Sequence, residues 1–151
     1  MARLLLLLEA WEALNQEPLA HERAMLLDFA VQHPQAIARI SERFSLVTAA
    51  HGLQKADLSD LLGRRSFGVM SERFAVTASE LVARGLLTHS MAGDGGPELG
   101  LTAFGREQAQ KLSSAFGGAL RAIFRVLATD WRRKNLAALR EELYKALPDD
   151  P

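Results

Sequence analysis

The sequence predicts a mainly helical protein in which one β-hairpin interrupts the helices. Of the 151 residues, 48% are hydrophobic but only 7% are aromatic, so Leu, Ala and Val must form most of the core. Such a composition favours helices over a β-sandwich. Apolar residues also recur at three- and four-residue spacing along much of the chain. A glycine-rich segment, residues 92–97, separates two short apolar runs and is typical of a hairpin turn.

The first helix is expected over residues 2–15. Its run of leucines, Leu4–Leu8, is too short to span a bilayer and is followed by acidic residues rather than a cleavage site, so it predicts a core helix. Residues 15–18 form a turn. A second helix over 19–32 should end near His33, because a proline disfavours helical geometry in the residue before it.

Pro34 suits the first position of a third helix, predicted to run to about Phe44. The weakly patterned residues 45–55 are interpreted as a loop with at most a short turn.

Residues 56–102 carry the strongest pattern. A short helix, Asp57–Leu62, should end at a left-handed cap on Gly63, and a longer helix follows from about Ser66 to Arg84. Gly85 then stops that helix. Strands over 86–90 and 98–102 flank the hairpin turn. This order of elements is typical of a winged helix–turn–helix with a two-stranded β wing, although a plain helical hairpin with a β-ribbon would give a similar pattern. The long helix should bury one stripe together with Leu101 and Leu112, namely Phe67, Met70, Phe74, Ala78 and Leu81.

The remaining residues, 103–147, predict two C-terminal helices. Thr102 should cap the first, which runs to about Ala128, and Asp130 should cap the second, over Trp131–Leu147. Helix one is expected to pack against both, through Leu120, Ile123, Leu127 and Leu139. The sequence thus predicts one domain over residues 1–151: N-terminal helices (1–55), helix–turn–helix and wing (56–102), and C-terminal helices (103–147).

Charge is balanced but unevenly distributed. The chain has 18 basic and 18 acidic residues, whereas residues 1–60 have a net charge of −3 and residues 117–140, the basic region, have +5. Uneven charge often marks surfaces for different partners, although the basic region could equally be a solvated helix face. If it is an interaction surface, five side chains would form an outward basic ridge for a partner: Arg121, Arg125, Arg132, Arg133 and Lys134.

No motif for catalysis, a metal or a cofactor is present. Cysteine is absent, which excludes disulfides and cysteine nucleophiles and suits a cytoplasmic protein. The four histidines are far apart in sequence, and none lies at a metal-ligand spacing. The glycines of residues 93–96 lack the lysine and hydroxyl of a phosphate-binding loop. We therefore expect no catalytic residue, metal or cofactor, unless folding brings distant groups together.

The second helix of the motif is the candidate DNA-contacting element. Recognition helices of this type place their N-terminal residues at base edges. The candidates are Arg64, Arg65, Ser71 and Arg73. The wing tip, residues 91–97, contains Asp94 and no Lys or Arg, which favours docking of a protein over clamping of a phosphate.

Two resemblances extend this interpretation. The segments Leu81–Leu87 and Leu101–Arg106 resemble the winged-helix regulators of the multiple-antibiotic-resistance type. Over nearly the whole chain, the order of Leu4–Leu8, Leu26–Phe29, Ser71–Phe74 and the arginine-rich C-terminal helices is similar to the middle component of bacterial three-component ABC-ATPase systems, related to Lamassu-type defence. That resemblance implies a non-catalytic accessory subunit joining an SMC-like ABC ATPase to an effector, often a nuclease, in anti-phage or anti-plasmid defence. The zero net charge and the wing without cations predict weak, non-specific DNA contact at most, and we expect neither a membrane nor a small-molecule substrate as partner.

A homodimeric winged-helix transcriptional regulator is the alternative. Its terminal helices would form the dimer interface, and the second motif helix would read DNA. Two formally neutral copies still carry no net charge, and repressors usually place Arg or Lys in the wing. The accessory-subunit interpretation fits these two features better.

Overall fold

The computed structural model describes residues 1–52 and 63–149, and this part of the chain is mainly helical with a small antiparallel sheet. The helices are α1 (Ala2–Asn15), α2 (His21–Gln32), α3 (Pro34–Ala38), α4 (Glu42–Ala50), α5 (Gly63–Ala83), α6 (Ala103–Gln110), α7 (Ala115–Asp130) and α8 (Leu136–Ala146). The strands are β1 (Leu19–Ala20), β2 (Leu87–Met91) and β3 (Pro97–Leu101).

Helix α1 lies at the centre of the packing. All five leucines of Leu4–Leu8 are buried, as is Trp11. Apolar neighbours therefore contact this part of the helix on all sides and not on one face alone. It packs most extensively on α7 and also contacts α6 and α2. The predicted contact with Leu120, Ile123 and Leu127 of α7 is consistent with this packing, but α8, which carries Leu139, packs mainly on α2 and α3. In the described residues, no helix is both long and apolar enough to cross a membrane.

The third predicted helix is in fact two helices. The prediction of one helix over Pro34–Phe44 is wrong, because α3 ends at Ala38 and the Ser41 hydroxyl accepts a hydrogen bond from the backbone N–H of Phe44 at 3.2 Å. This N-cap starts α4, which buries Phe44 and continues to Ala50. Residues 45–50 are therefore helical rather than loop.

Two boundaries after the hairpin also differ from the prediction. Thr102 caps α6 as expected, but that helix ends at Gln110, and Ser114 caps a separate α7. A Cβ at Gly117 would lie 2.6 Å from the Leu112 carbonyl oxygen, so this glycine lets the connecting turn approach the start of α7. Asp130 ends α7 instead of capping the last helix. That cap is Asn135, whose side-chain oxygen accepts from the Ala138 N–H at 3.1 Å.

Helix α5 has the expected buried stripe. Met70, Phe74, Ala78 and Leu81 are buried, and Phe67 packs against the same core while partly exposed. The helix ends at Ala83, and Gly85 adopts a left-handed φ of 70°, the stop the sequence predicted. Gly63 is the first residue of α5 rather than the left-handed cap of a preceding helix. The predicted helix Asp57–Leu62 lies outside the described residues.

The hairpin belongs to a sheet of three strands, not two. β2 and β3 pair antiparallel with Leu87 opposite Leu101, and β1 pairs with the other edge of β3, with Leu19 opposite Leu99. The carboxylate of Glu12 on α1 accepts from the Leu101 N–H at 2.8 Å and pairs with Arg106 at 3.1 Å. These contacts attach β3 and the start of α6 to the central helix.

Candidate protein-interaction surface

Helix α5 and the hairpin form one side of the molecule. The buried stripe of α5 faces the core, and the opposite side of the helix presents Arg65, Val69, Arg73 and Val76 to solvent. Val76 is 64% exposed, which is high for an aliphatic side chain in the middle of a long helix. Because the helix is held by its buried stripe, its outer side is a rigid platform for contacts.

An apolar groove runs between the C-terminal half of α5 and strand β2. It has a volume of about 300 Å³. Small residues on α5 keep it open, and Val82 and Leu99 add apolar surface to its walls. Its lining consists of His21, Ala75, Ala78, Ser79, Val82, Ala83, His89 and Leu99. A groove of this kind suits an apolar side chain or a helix face of a protein.

Two histidines lie at the edge of this groove. The His21 ring packs edge-on against Phe74, with 5.0 Å between ring centroids, and lies 6.4 Å from the ring of His89. Burial, and secondarily the positive charge that His89 can carry, lower the pKa of His21 below its ordinary value. Sequence distance suggested that these histidines were unrelated, but pairing of β2 with β3 and the start of α2 bring them together.

The hairpin tip offers no cation to a phosphate. The Ala92 N–H donates to the Gly96 carbonyl at 2.7 Å, and the Asp94 carboxylate accepts from the Gly96 N–H at 3.0 Å. Gly95 takes a φ of 87°, a conformation that glycine adopts without strain. The tip is therefore a tight turn carrying an acidic side chain, beside the exposed Met91.

The four candidate DNA-contacting residues do not share one environment. The Arg64 guanidinium pairs with the Asp149 carboxylate and lies 5.0 Å from the centre of the Tyr144 ring. Arg65, Ser71 and Arg73 are exposed. Arg73 also borders a cavity of about 260 Å³ between α2 and α5, where Arg3 binds the Asp28 carboxylate through two hydrogen bonds of 2.6 and 3.2 Å. Only part of the predicted set is thus presented outward by α5.

Arg121, predicted to lie on the outward ridge, has a structural role instead. Its Nε donates to the Glu9 carboxylate at 2.7 Å, and its two terminal nitrogens donate to the Leu112 and Ala109 carbonyls, each at 2.6 Å. The side chain is only 20% exposed. It joins α1, the end of α6 and α7, so its inclusion in the ridge is wrong.

Two other members of the predicted ridge are also engaged within the chain. Arg132 pairs with Glu17 at 3.4 Å, and Lys134 pairs with Glu142 at 2.6 Å. The loop between α7 and α8 is held by Arg23, which donates to the Trp131 and Lys134 carbonyls at 2.6 and 2.8 Å. Arg125 and Arg133 are exposed and make no ion pair with the described residues. The basic region is thus less available to a partner than its composition indicates.

Within residues 1–52 and 63–149, no three His, Asp or Glu side chains are grouped so that they could hold a metal ion. His21 and His89 alone do not form such a group.

The features that sequence reasoning missed are these two histidines and the groove beside them. The available signal was the run of small residues at Ala75, Ala78 and Ser79, which leaves space on one side of α5.

No protein family, curated protein or solved structure matches this chain.

Proposed function

We propose that this chain is a non-catalytic accessory subunit that joins an SMC-like ABC ATPase to an effector such as a nuclease, in cytoplasmic defence against phage or plasmids. The observation that carries the proposal is the apolar groove between α5 and β2, continuous with the exposed outer side of α5. Exposed apolar surface beside a rigid helix is characteristic of sites where another protein binds. The choice of partner rests on the resemblance described in the sequence analysis.

The order of elements supports a winged helix as the scaffold. β1 follows α1 directly, the strands lie in the order β1-β3-β2, and α5 enters the hairpin at Gly85. This is the order of helices and strands in winged helices, with α5 in the place of the recognition helix.

Charge favours a protein over DNA as the principal partner. The chain is formally neutral, and Asp94 is the charged residue of the hairpin tip. The outer side of α5 combines its arginines with the exposed Glu72 and Val76. DNA binding without a partner draws mainly on cations that neutralise phosphates. We therefore assign DNA a weak, non-specific role at α5, within the complex.

Co-purification of the chain with the products of its neighbouring genes tests the proposal, which expects an SMC-like ABC ATPase and an effector among them. The informative variant is Val76→Glu, which places a charge on the outer side of α5 without disturbing the core. Leu46→Glu on α4 is the matched control, because Leu46 is 65% exposed and Val76 64%. We expect Val76→Glu to lose the partners and Leu46→Glu to retain them. Equal recovery of partners by both variants would exclude the α5 surface.

A homodimeric transcriptional regulator is the second candidate, favoured by one observation. Phe116, at the start of α7, is 62% exposed and lines a depression of about 270 Å³ with Met1, Leu112 and Leu120. Terminal helices that meet through such a surface would form a dimer. Light scattering on the purified protein distinguishes the two functions: a dimer that Phe116→Glu converts to a monomer supports the regulator, whereas a monomer supports the subunit.

A further inference from the structure

The segment that follows α8, Leu147–Asp149, lies across the first turn of α5. Leu147 is buried, and a Cβ on Gly63 would lie 2.9 Å from its Cδ2 atom and 3.3 Å from the Pro148 Cδ atom. The absence of a side chain at Gly63 therefore allows this close approach. The next residue, Asp149, then reaches the guanidinium of Arg64.

The contact of this segment with α5 combines a buried apolar residue, Leu147, with an exposed ion pair, Asp149–Arg64. Leu147 belongs to the hydrophobic core, and the Tyr144 ring supports Arg64 from one side. The Asp149 side chain, in contrast, is 83% exposed, and its ion pair with Arg64 faces solvent. Exposed ion pairs of this kind contribute little to stability. The carboxylate can thus leave Arg64 while Leu147 keeps the segment in place.

We infer that Asp149 is an autoinhibitory residue: its carboxylate occupies the Arg64 guanidinium and competes with a DNA phosphate for it. The inference rests on the proposed DNA contact of α5 and adds its regulation. Asp149 contacts Arg64 through one pair of atoms, the Arg64 Nη1 and the Asp149 Oδ1. A DNA phosphate would bind the same guanidinium group, so the carboxylate and the phosphate compete for it. A partner that draws Asp149 away would make the Arg64 guanidinium available at the first turn of α5.

Fluorescence anisotropy with a labelled duplex of random sequence, at low and at physiological salt, measures the effect. Asp149→Asn keeps the size of the side chain and removes its charge. The matched control is Glu141→Gln, which also removes one negative charge, from an exposed pair with Lys145 on α8. We expect Asp149→Asn to bind DNA about threefold to tenfold more tightly than the native protein, with less than a twofold change for Glu141→Gln.

Salt dependence and a double variant separate release of Arg64 from a general charge effect. One additional phosphate contact should steepen the slope of log affinity against log salt by about one for Asp149→Asn. In the background of Arg64→Gln, Asp149→Asn should add nothing. Equal affinities of Asp149→Asn and Glu141→Gln, or a gain that persists without Arg64, would overturn the inference.

The proposed function fails in a distinguishable way. If the native chain does not co-purify with an ATPase and an effector, the proposed subunit function is wrong, whatever the DNA measurements give. If no variant binds the duplex at low salt, Asp149→Asn included, the inference and the DNA contact of α5 are both wrong, while assembly with protein partners is judged by co-purification. Thermal unfolding of each variant checks that the fold is retained.

Discussion

The outer side of α5 and the basic region, residues 117–140, both contain several arginines, but these arginines differ in how many contacts they make within the chain. In the basic region, Arg121 donates to Glu9 and to two carbonyls, and Arg132 and Lys134 pair with acids of the chain itself. On α5, Arg73 and Val76 are both exposed to solvent. A local excess of cations therefore says little about availability, because acids elsewhere in the chain already pair with several of them.

The largest effect should come from the core beneath α5. Phe74 is buried against His21 and belongs to the same core as Met70 and Leu81. Phe74→Ala should lower the free energy of unfolding by about 3–5 kcal/mol through lost burial and a residual cavity. Val76→Ala, two residues away but exposed, should change it by less than about 0.5 kcal/mol. Urea denaturation measures both, and similar losses would mean that α5 is not held by its buried stripe.

A second, smaller effect should separate the arginines of the basic region from one another. Arg121→Ala removes three hydrogen bonds of a charged group and should cost about 2–3 kcal/mol. Arg121→Lys keeps a positive charge near Glu9 but loses the guanidinium that reaches three acceptors. Its loss of unfolding free energy should lie between those of the native protein and Arg121→Ala. Arg125→Ala is the control, with a change below about 0.5 kcal/mol. If Arg121→Ala is as stable as Arg125→Ala, the internal role assigned to Arg121 is wrong.

Acid should weaken the fold through His21. Its pKa in the folded protein is lowered by burial and by His89, so the unfolded chain binds the proton more readily. The stability that the neutral ring confers is present above the ordinary histidine pKa of about 6.5 and decreases as pH falls from there through the lowered value.

Urea denaturation from pH 7.5 to 5 measures this dependence. His21→Gln should flatten the curve in this window more than the control His51→Gln, which alters an exposed histidine at the end of α4. His89→Gln should move the NMR titration of His21 upward. Identical curves for the native protein and His21→Gln would contradict the prediction.

The fold was largely predictable where the signal is local. The end of α1, the stop at Gly85 and the cap at Thr102 follow from the turn-forming residues 15–18, a left-handed glycine and a hydroxyl N-cap. The breaks at Ser41 and Ser114 use the same type of cap, but apolar residues continue on both sides of each, and periodicity alone joined the helices. The break before the last helix was predicted, but its cap was placed on Asp130 instead of Asn135.

The site was less predictable because it depends on long-range pairing. β1 has only two residues and exists because β3 offers an edge, so no local pattern marks it. The groove requires His21 of α2, Val82 of α5 and His89 of β2 to meet. Likewise, the arginine pattern of residues 121–134 gave no indication that Glu9 and Glu17 would pair with two of its members.

The smallest effect on stability, and the sharpest test between the two regions, concerns Arg125 and Arg133. Both are exposed, so the double reversal Arg125→Glu with Arg133→Glu should change the free energy of unfolding by less than about 0.5 kcal/mol each. A ridge reduced to these two cations can still steer a partner electrostatically. Charges at the rim of an interface mainly alter association rate and its salt dependence.

If an ATPase is the partner, as proposed, we expect the double reversal to slow association with it by no more than about tenfold at low salt, a difference that shrinks at physiological salt. The assembled complex should be recovered in full, whereas Val76→Glu should lose it. Surface plasmon resonance with the immobilised ATPase measures both. If the double reversal abolishes assembly and Val76→Glu does not, the basic region is the principal interface and the groove beside α5 is not. Reversing two exposed cations far from an interface cannot prevent binding, and a charge placed inside an interface is not tolerated.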